Sequence, residues 1–180
     1  LESMVIGERE IAGQMRRAAR TAWEDGTLSC DLGRAAERAS ATSRRVATET
    51  GLAGAGRSVV AVGLDMASRH LGPWGDMRVL IVGTGAYAGA TVSALNALGA
   101  SDVSVYSTSG RAREFAQGRG IGWVDRAVLP SALERADLVV TCRGLGSPVL
   151  TRDMAAASGR TVVLDLALMR DTESSVASLP

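Results

Sequence analysis

The spacing of apolar residues changes character part-way along this chain. Up to about residue 50 they recur at three- and four-residue steps; beyond residue 78 short unbroken apolar runs alternate with helical stretches. From Glu8 to Asp25, Ile11, Met15, Ala18 and Ala22 share one stripe, which predicts a helix ended by Gly26. A second helix is predicted from Asp31 to Glu49, with Leu32, Ala35, Ala36, Ala39 and Val46 as its buried side. The glycine-rich stretch Gly51 to Gly56 marks a domain boundary, giving a helical segment over 1–52 and a second domain over 53–180. Ser58 to His70 reads as a third helix carrying Val59, Val62 and Met66, closed by Gly72 and Pro73.

After that the alternation becomes regular. Strands are predicted at Arg78 to Val82, Asp102 to Tyr106, Gly122 to Val124, Asp137 to Cys142 and Thr161 to Leu166. Between them lie helices over Ala90 to Leu98 (Val92, Leu95 and Leu98 on one stripe), Arg111 to Gly118, Pro130 to Arg135 and Thr151 to Ser158, with another starting at Asp171. Continuous apolar strands are buried on both faces, and strands alternating with helices make a parallel sheet. The expected fold class is therefore α/β, a doubly wound parallel sheet of the Rossmann-like NAD(P)-binding kind, preceded by an α-helical segment. Its ligand crevice lies at the C-terminal strand ends. That gathers Gly83 to Ala88, Ser107 to Ser109, Thr141 to Gly146 and Leu166 to Arg170 around one site.

Composition narrows the chemistry. Hydrophobic content is 46% with only 3% aromatic, so burial rests on Ala, Val and Leu. A net charge of +1 gives no overall electrostatic capture of nucleic acid. Arg34, Arg38, Arg44 and Arg45 stud the second helix and could touch RNA, but acids nearly balance them, which favours a solvated face of ion pairs. Every basic residue is Arg, which excludes a lysine Schiff base and a phosphate loop ending in Gly-Lys-Ser/Thr. Cys30, Cys142 and the single His70 show no metal spacing, so no metal is expected. Without a signal peptide or spanning run, the expected location is the cytoplasm. The chain starts at Leu1, as an excised piece of a longer protein would.

The sharpest motif closes the first strand. Gly83-x-Gly85-x-x-Ala88 has dinucleotide-fingerprint spacing, assigning Gly83, Thr84, Gly85, Ala86, Tyr87 and Ala88 to a cofactor's pyrophosphate at a helix N-terminus. The plainer reading is an α/β domain that merely needs a tight turn. NAD-binding sheets place an acid at the end of the second strand, against the ribose 2′-hydroxyl. Here the sequence is Ser107-Thr108-Ser109-Gly110-Arg111, with Arg113 behind. Hydroxyls and guanidiniums without a carboxylate suit a 2′-phosphate, so NADP is expected over NAD, and S-adenosylmethionine is disfavoured.

Several segments, in order, resemble bacterial glutamyl-tRNA reductase. Ser3 to Gln14 resembles that family's Ser-x-x-x-Gly-Glu-x-Gln-Ile-x-Gly-Gln signature. Arg45 to Thr50 followed by Ser58-Val59 resembles its Arg-Val-x-Thr-Glu-Thr segment. Val79 to Ala88 resembles its NADP turn, and Val162 to Ala167 with Arg170-Asp171 its closing strand. The resemblance implies an NADPH-dependent reduction of glutamyl-tRNA to glutamate-1-semialdehyde, which opens tetrapyrrole (porphyrin) synthesis. It implies that 1–52 is the helical C-terminal part of the catalytic domain. It also implies a cysteine nucleophile upstream of residue 1, matched by neither Cys30 nor Cys142, so the fragment alone should be inactive. Substrate contacts carry over to Ser3, Glu8 and Gln14. Arg9 stands where Pro is common and Glu10 where Gln is expected, departures within the same binding segment. The family's Asn-Arg-Thr is here Tyr106-Ser107-Thr108, so NADPH binding falls to Ser107, Thr108, Ser109 and Arg111. Met169 replaces a usual Pro. The implied partners are glutamyl-tRNA, the aminomutase that takes glutamate-1-semialdehyde, and a second copy in a homodimer. Two other readings are a shikimate-dehydrogenase-like oxidoreductase without its substrate domain, and a non-catalytic nucleotide-binding module.

Overall fold

A computed structural model describes residues 10–50, 58–159 and 161–179. The chain divides into two compact units, Leu1–Val59 and Val60–Pro180. The expected linker, Gly51 to Gly56, lies outside the described residues, as do Ser3, Glu8 and Arg9.

The first unit is a pair of helices, α1 (Glu10–Glu24) and α2 (Cys30–Glu49). Gly26 ends α1 with φ 69°, where a side chain would be strained. Ser29 caps α2, its hydroxyl accepting from the Leu32 amide at 3.3 Å. A groove of about 450 Å³ runs between the two helices, with Met15, Trp23, Leu28 and Ala36 among its walls. The buried side expected of α2 does not form, and the α1 stripe is no more covered. Met15, Ala18, Leu32, Ala35, Ala39 and Val46 are exposed, Ala22 and Ala36 are half-buried, and the side chain of Ile11 is not described. Two helices bury a full stripe only against a further layer.

The second unit starts at the second residue of α3 (Val59–Ser68) and holds a five-stranded parallel sheet in the order β3-β2-β1-β4-β5. The strands are β1 (Arg78–Val82), β2 (Asp102–Tyr106), β3 (Gly122–Val124), β4 (Leu138–Thr141) and β5 (Val162–Asp165). The helices that follow the first four are α4 (Ala86–Ala97), α5 (Ala112–Gln117), α6 (Leu129–Arg135) and α7 (Arg152–Ala157). This is the doubly wound parallel architecture that the alternation predicts. Val79, Leu80, Ile81, Leu138, Val139 and Val140 are almost wholly excluded from water. Each such side chain contributes roughly 1.5–3 kcal/mol of burial.

Three helix-phase expectations are corrected. In α3 the buried residues are Val59, Val60, Gly63, Leu64 and Ala67, while Val62 is half-buried and Met66 is 59% exposed. Gly63 lies on the packed side: a Cβ there would stand 3.1 Å from the Leu164 and Leu166 methyls, so the small residue lets α3 lie close against them. In α4 the buried residues are Ala88, Thr91, Val92 and Leu95; Leu98 falls beyond the last turn and is 45% exposed. No α-helix starts at Asp171. The chain there makes a bridge from Thr172 to Leu150 and one 3-10 turn, Ser174–Ser178.

Candidate nucleotide-binding crevice

Strand register brings the site together. Val82 pairs with Tyr106 and Thr141, and Thr141 with Asp165, so four strands end on one line. The residues just past that line come from both winding directions of the sheet, which is where doubly wound folds hold ligands.

Gly83 continues the ladder, its N–H donating to the Tyr106 carbonyl at 2.9 Å. Its φ is 134°, and a Cβ there would lie 3.0 Å from Cys142 Sγ and 3.2 Å from the Cys142 carbonyl carbon. Glycine is thus required for both conformation and close approach. Gly85 precedes α4 in an extended conformation, and a Cβ there would meet nothing within 4 Å. Its surroundings are open to a ligand. Ala88 is fully buried against the fold, and Gly89 N–H closes the first helical bond on Gly85 O at 3.2 Å. The first-turn amides of this twelve-residue helix and its dipole favour an anion, and Thr84, Ala86 and Tyr87 lie in the same turn. The residues present fit a dinucleotide pyrophosphate.

At the end of β2 the hydroxyls are linked. Ser107 Oγ and Ser109 Oγ lie 2.9 Å apart, Ser109 N–H donates to Ser107 Oγ at 3.3 Å, and Arg111 Nε donates to Ser109 Oγ at 3.0 Å. Arg113 is turned away, its guanidinium 5.0 Å over the Trp123 ring. Thr108 is contacted from across the crevice, by Arg143 Nη1 donating to its Oγ1 at 3.3 Å. The sequence gathers Arg143 at the crevice, within Thr141 to Gly146, without giving it a role; the contact with Thr108 is what singles it out.

The loops after β4 and β5 are held by two carboxylates that carried no assigned role. Asp171 is fully buried and accepts from the Arg143 and Gly144 amides. Asp165 accepts from Ala167 N–H at 3.0 Å, Asp171 N–H at 2.9 Å and Thr172 N–H at 3.0 Å. Cys142 sits beneath them. Burial, then the charges of Asp171 and Asp165, push its thiol up to about 12. It is a poor nucleophile. Cys30 is exposed on the helical unit. Glu10 and Gln14 stand one turn apart on α1, and Gln14 is exposed. Among the described residues no three His, Cys, Asp or Glu side chains gather as a metal site, and no helix is long and apolar enough to cross a membrane.

Comparison with known proteins distinguishes the readings that the crevice leaves open. Residues 65–180 match the family model described as shikimate / quinate 5-dehydrogenase. Residues 1–50 match the model for the glutamyl-tRNAGlu reductase N-terminal domain. The glutamyl-tRNA reductase of Kocuria rhizophila is 49% identical over 100% of this chain and 41% of its own length. The chain is a homologue of glutamyl-tRNA reductases along its whole length. The protein of that name from Clavibacter michiganensis is 48% identical over 99% of this chain and 42% of its own. The chain thus spans about two fifths of the length of the curated relatives it matches. Among solved structures, glutamyl-tRNA reductase from Methanopyrus kandleri is 31% identical with a TM-score of 0.63, covering 99% of this chain and 47% of that one. The nucleotide-binding domain of the Thermoplasma volcanium reductase shares the fold at 18% identity and a TM-score of 0.52, covering 64% of this chain and 80% of that one. The shikimate-dehydrogenase-like alternative required the Ser3 to Gln14 signature to be coincidence, and the match over residues 1–50 removes it. A nicotinamide dinucleotide is the cofactor that goes with this fold and family.

Proposed function

We propose that this chain is the nucleotide-binding part, with adjoining substrate-domain helices, of an NADPH-dependent glutamyl-tRNA reductase. That enzyme reduces the activated glutamate of glutamyl-tRNA to glutamate-1-semialdehyde for tetrapyrrole synthesis. The observation that carries the reading is similarity to reductases along the whole chain, including the segment ahead of the sheet. The domain division assigned is 1–52 to the substrate domain and 53–180 to the nucleotide domain.

In this reading Gly83 to Ala88 receive the pyrophosphate on the N-terminus of α4. Ser107, Thr108, Ser109 and Arg111 take the 2′-phosphate, where no carboxylate repels it. When bound, NADPH supplies the two-electron reducing equivalent for the glutamyl carbonyl. The thiolate that displaces tRNA as a thioester is assigned outside these 180 residues, because neither Cys30 nor Cys142 matches the family's nucleophile motif and Cys142 is buried with its thiol pushed up to about 12. Ser3, Glu8, Arg9, Glu10 and Gln14 are assigned to the glutamyl group. Glu10 and Gln14 are spaced to share one face of α1. A carboxylate at Glu10 recognises the substrate's α-ammonium better than its side-chain carboxylate. The product aldehyde passes to an aminomutase, and the working protein is a cytoplasmic homodimer.

The test is single-turnover reduction of glutamyl-tRNA by the whole protein with NADPH, scored by aldehyde released. Aldehyde from glutamyl-tRNA but not from free glutamate is the expected result. Reduction of an unactivated small substrate such as a 3-keto acid, with glutamyl-tRNA inert, would refute the assignment.

A further inference from the structure

The second strand of this fold ends without the groups that usually read the ribose. There is no acid for a 2′-hydroxyl, Arg111 is engaged with Ser109, and Arg113 lies over Trp123. A cation arrives from the other side of the crevice instead. Arg143 follows β4, and three of its four interactions hold it in place. Its backbone N–H donates to Asp171 Oδ2, its Nη2 donates to Ser147 O at 2.7 Å, and its Nε lies 3.6 Å from Asp171 Oδ1. The fourth points outward, with Nη1 donating to Thr108 Oγ1 at 3.3 Å.

Burial makes this arrangement informative. The Arg143 side chain is 10% exposed and that of Asp171 0%, and Arg143 Nε is buried with no hydrogen-bond partner. A desolvated guanidinium needs strong acceptors to offset the lost hydration. Asp171 meets only its Nε edge, beyond hydrogen-bond distance, and divides its carboxylate between two backbone amides. The outer edge meets a single neutral hydroxyl, which is a weak acceptor for a buried cation. Of the five guanidinium N–H donors, two are used, leaving Nη hydrogens for a phosphate oxygen. Thr108 stands beside the place where the second strand meets the adenosine ribose.

The geometry points to Arg143, acting with Thr108, as the group that reads the 2′-phosphate and sets the choice of NADPH over NADH. Asp171 is a positioning residue for it. The inference rests on the NADPH reading above and moves the discriminating role from Arg111, whose Nε is given to Ser109 Oγ, to Arg143. The phosphate replaces Thr108 Oγ1 as the main acceptor on Nη1, or shares it, and the Nε edge stays on Asp171.

The experiment compares the full chain with Arg143→Gln and Arg143→Lys by calorimetric titration. The four probes are NADPH, NADH, 2′,5′-ADP and 5′-AMP. In Arg143→Gln the expected loss is about tenfold or more for NADPH and 2′,5′-ADP, with NADH and 5′-AMP changed by less than about threefold. Arg143→Lys, which keeps the charge without the fork, falls between. Each ratio is measured within one protein, so a general loosening of the loop cancels. Equal weakening of all four probes, or an unchanged ratio in Arg143→Gln with a wild type that prefers phosphate, overturns the role of Arg143 and leaves the NADPH reading standing. A wild type with no preference for 2′,5′-ADP over 5′-AMP overturns both.

Discussion

The helical unit and the sheet unit carry the same kind of pattern, apolar periodicity, with different structural outcomes. In the sheet unit the central apolar runs became buried strands, four of the five residues of β1 and all four of β4, while β5 is half-buried throughout and β3 buries only Val124. In α1 and α2 the helices formed where the period placed them, yet no residue with described burial there is buried. Trp23 is 73% exposed and Leu32 59%. Periodicity reports which side of an element is apolar. Burial depends on whether another layer covers that side, and a parallel sheet with helices on its faces provides one by construction.

The largest test of that contrast is a pair of truncations. Leu80→Ala or Leu138→Ala should cost about 2–5 kcal/mol in denaturant unfolding, since each side chain is fully enclosed. Leu32→Ala should stay within about 0.5 kcal/mol. Comparable losses from both units would mean that the helices' apolar stripe is covered after all.

A second pair separates folding from binding within the crevice. Gly83→Ala forces a side chain into φ 134° and within 3.0 Å of Cys142 Sγ, so it should destabilise by about 1–3 kcal/mol. Gly85→Val adds its side chain to open space, so it should melt near wild type while weakening nucleotide binding tenfold or more. A Gly85→Val protein that binds normally would show that the turn is only structural.

Thiol chemistry gives a smaller contrast between the units. Cys30 should react with an aromatic disulfide reagent in the folded chain, and Cys142 only after unfolding. Fast modification of Cys142 at neutral pH would contradict its burial.

The smallest effect concerns the far end of the sheet. Arg78 Nε and Nη2 donate to Asp137 at 3.0 and 3.1 Å, and this hydrogen bond first of all holds the Asp137 carboxyl below its usual range. A depressed carboxylate pKa contributes stability above the unfolded value that is lost as pH falls through the folded one. Asp137→Asn should therefore lower Tm slightly at pH 7, and by less at pH 3. Both groups are partly exposed, so the shift should also shrink in high salt.

What was legible in the sequence follows the same division. All five strands and the glycine turn are legible because short apolar runs separated by helical stretches are a local signal, strongest in β1 and β4, which are buried, and weaker in β3 and β5, which are less so. The misassigned positions depend on distant partners. The helical period groups Met66 with Val59 and Val62, but the packed side of the helix runs through Gly63, which lies against Leu164 and Leu166. Asp171 looks like a helix start, since an acid commonly caps one, but its carboxylate takes the amides of Arg143 and Gly144 in another loop. The same holds for Arg143: the sequence brings Thr141 to Gly146 to the crevice, but nothing near Arg143 tells that its guanidinium reaches Thr108.

The claim on which the functional reading turns is that the crevice accepts a nicotinamide nucleotide and prefers the phosphorylated form. Side-by-side calorimetric titration of the chain with NADPH and NADH measures it directly. Tighter binding of NADPH by about tenfold or more is the predicted result. Equal binding, or preference for NADH, would contradict the account.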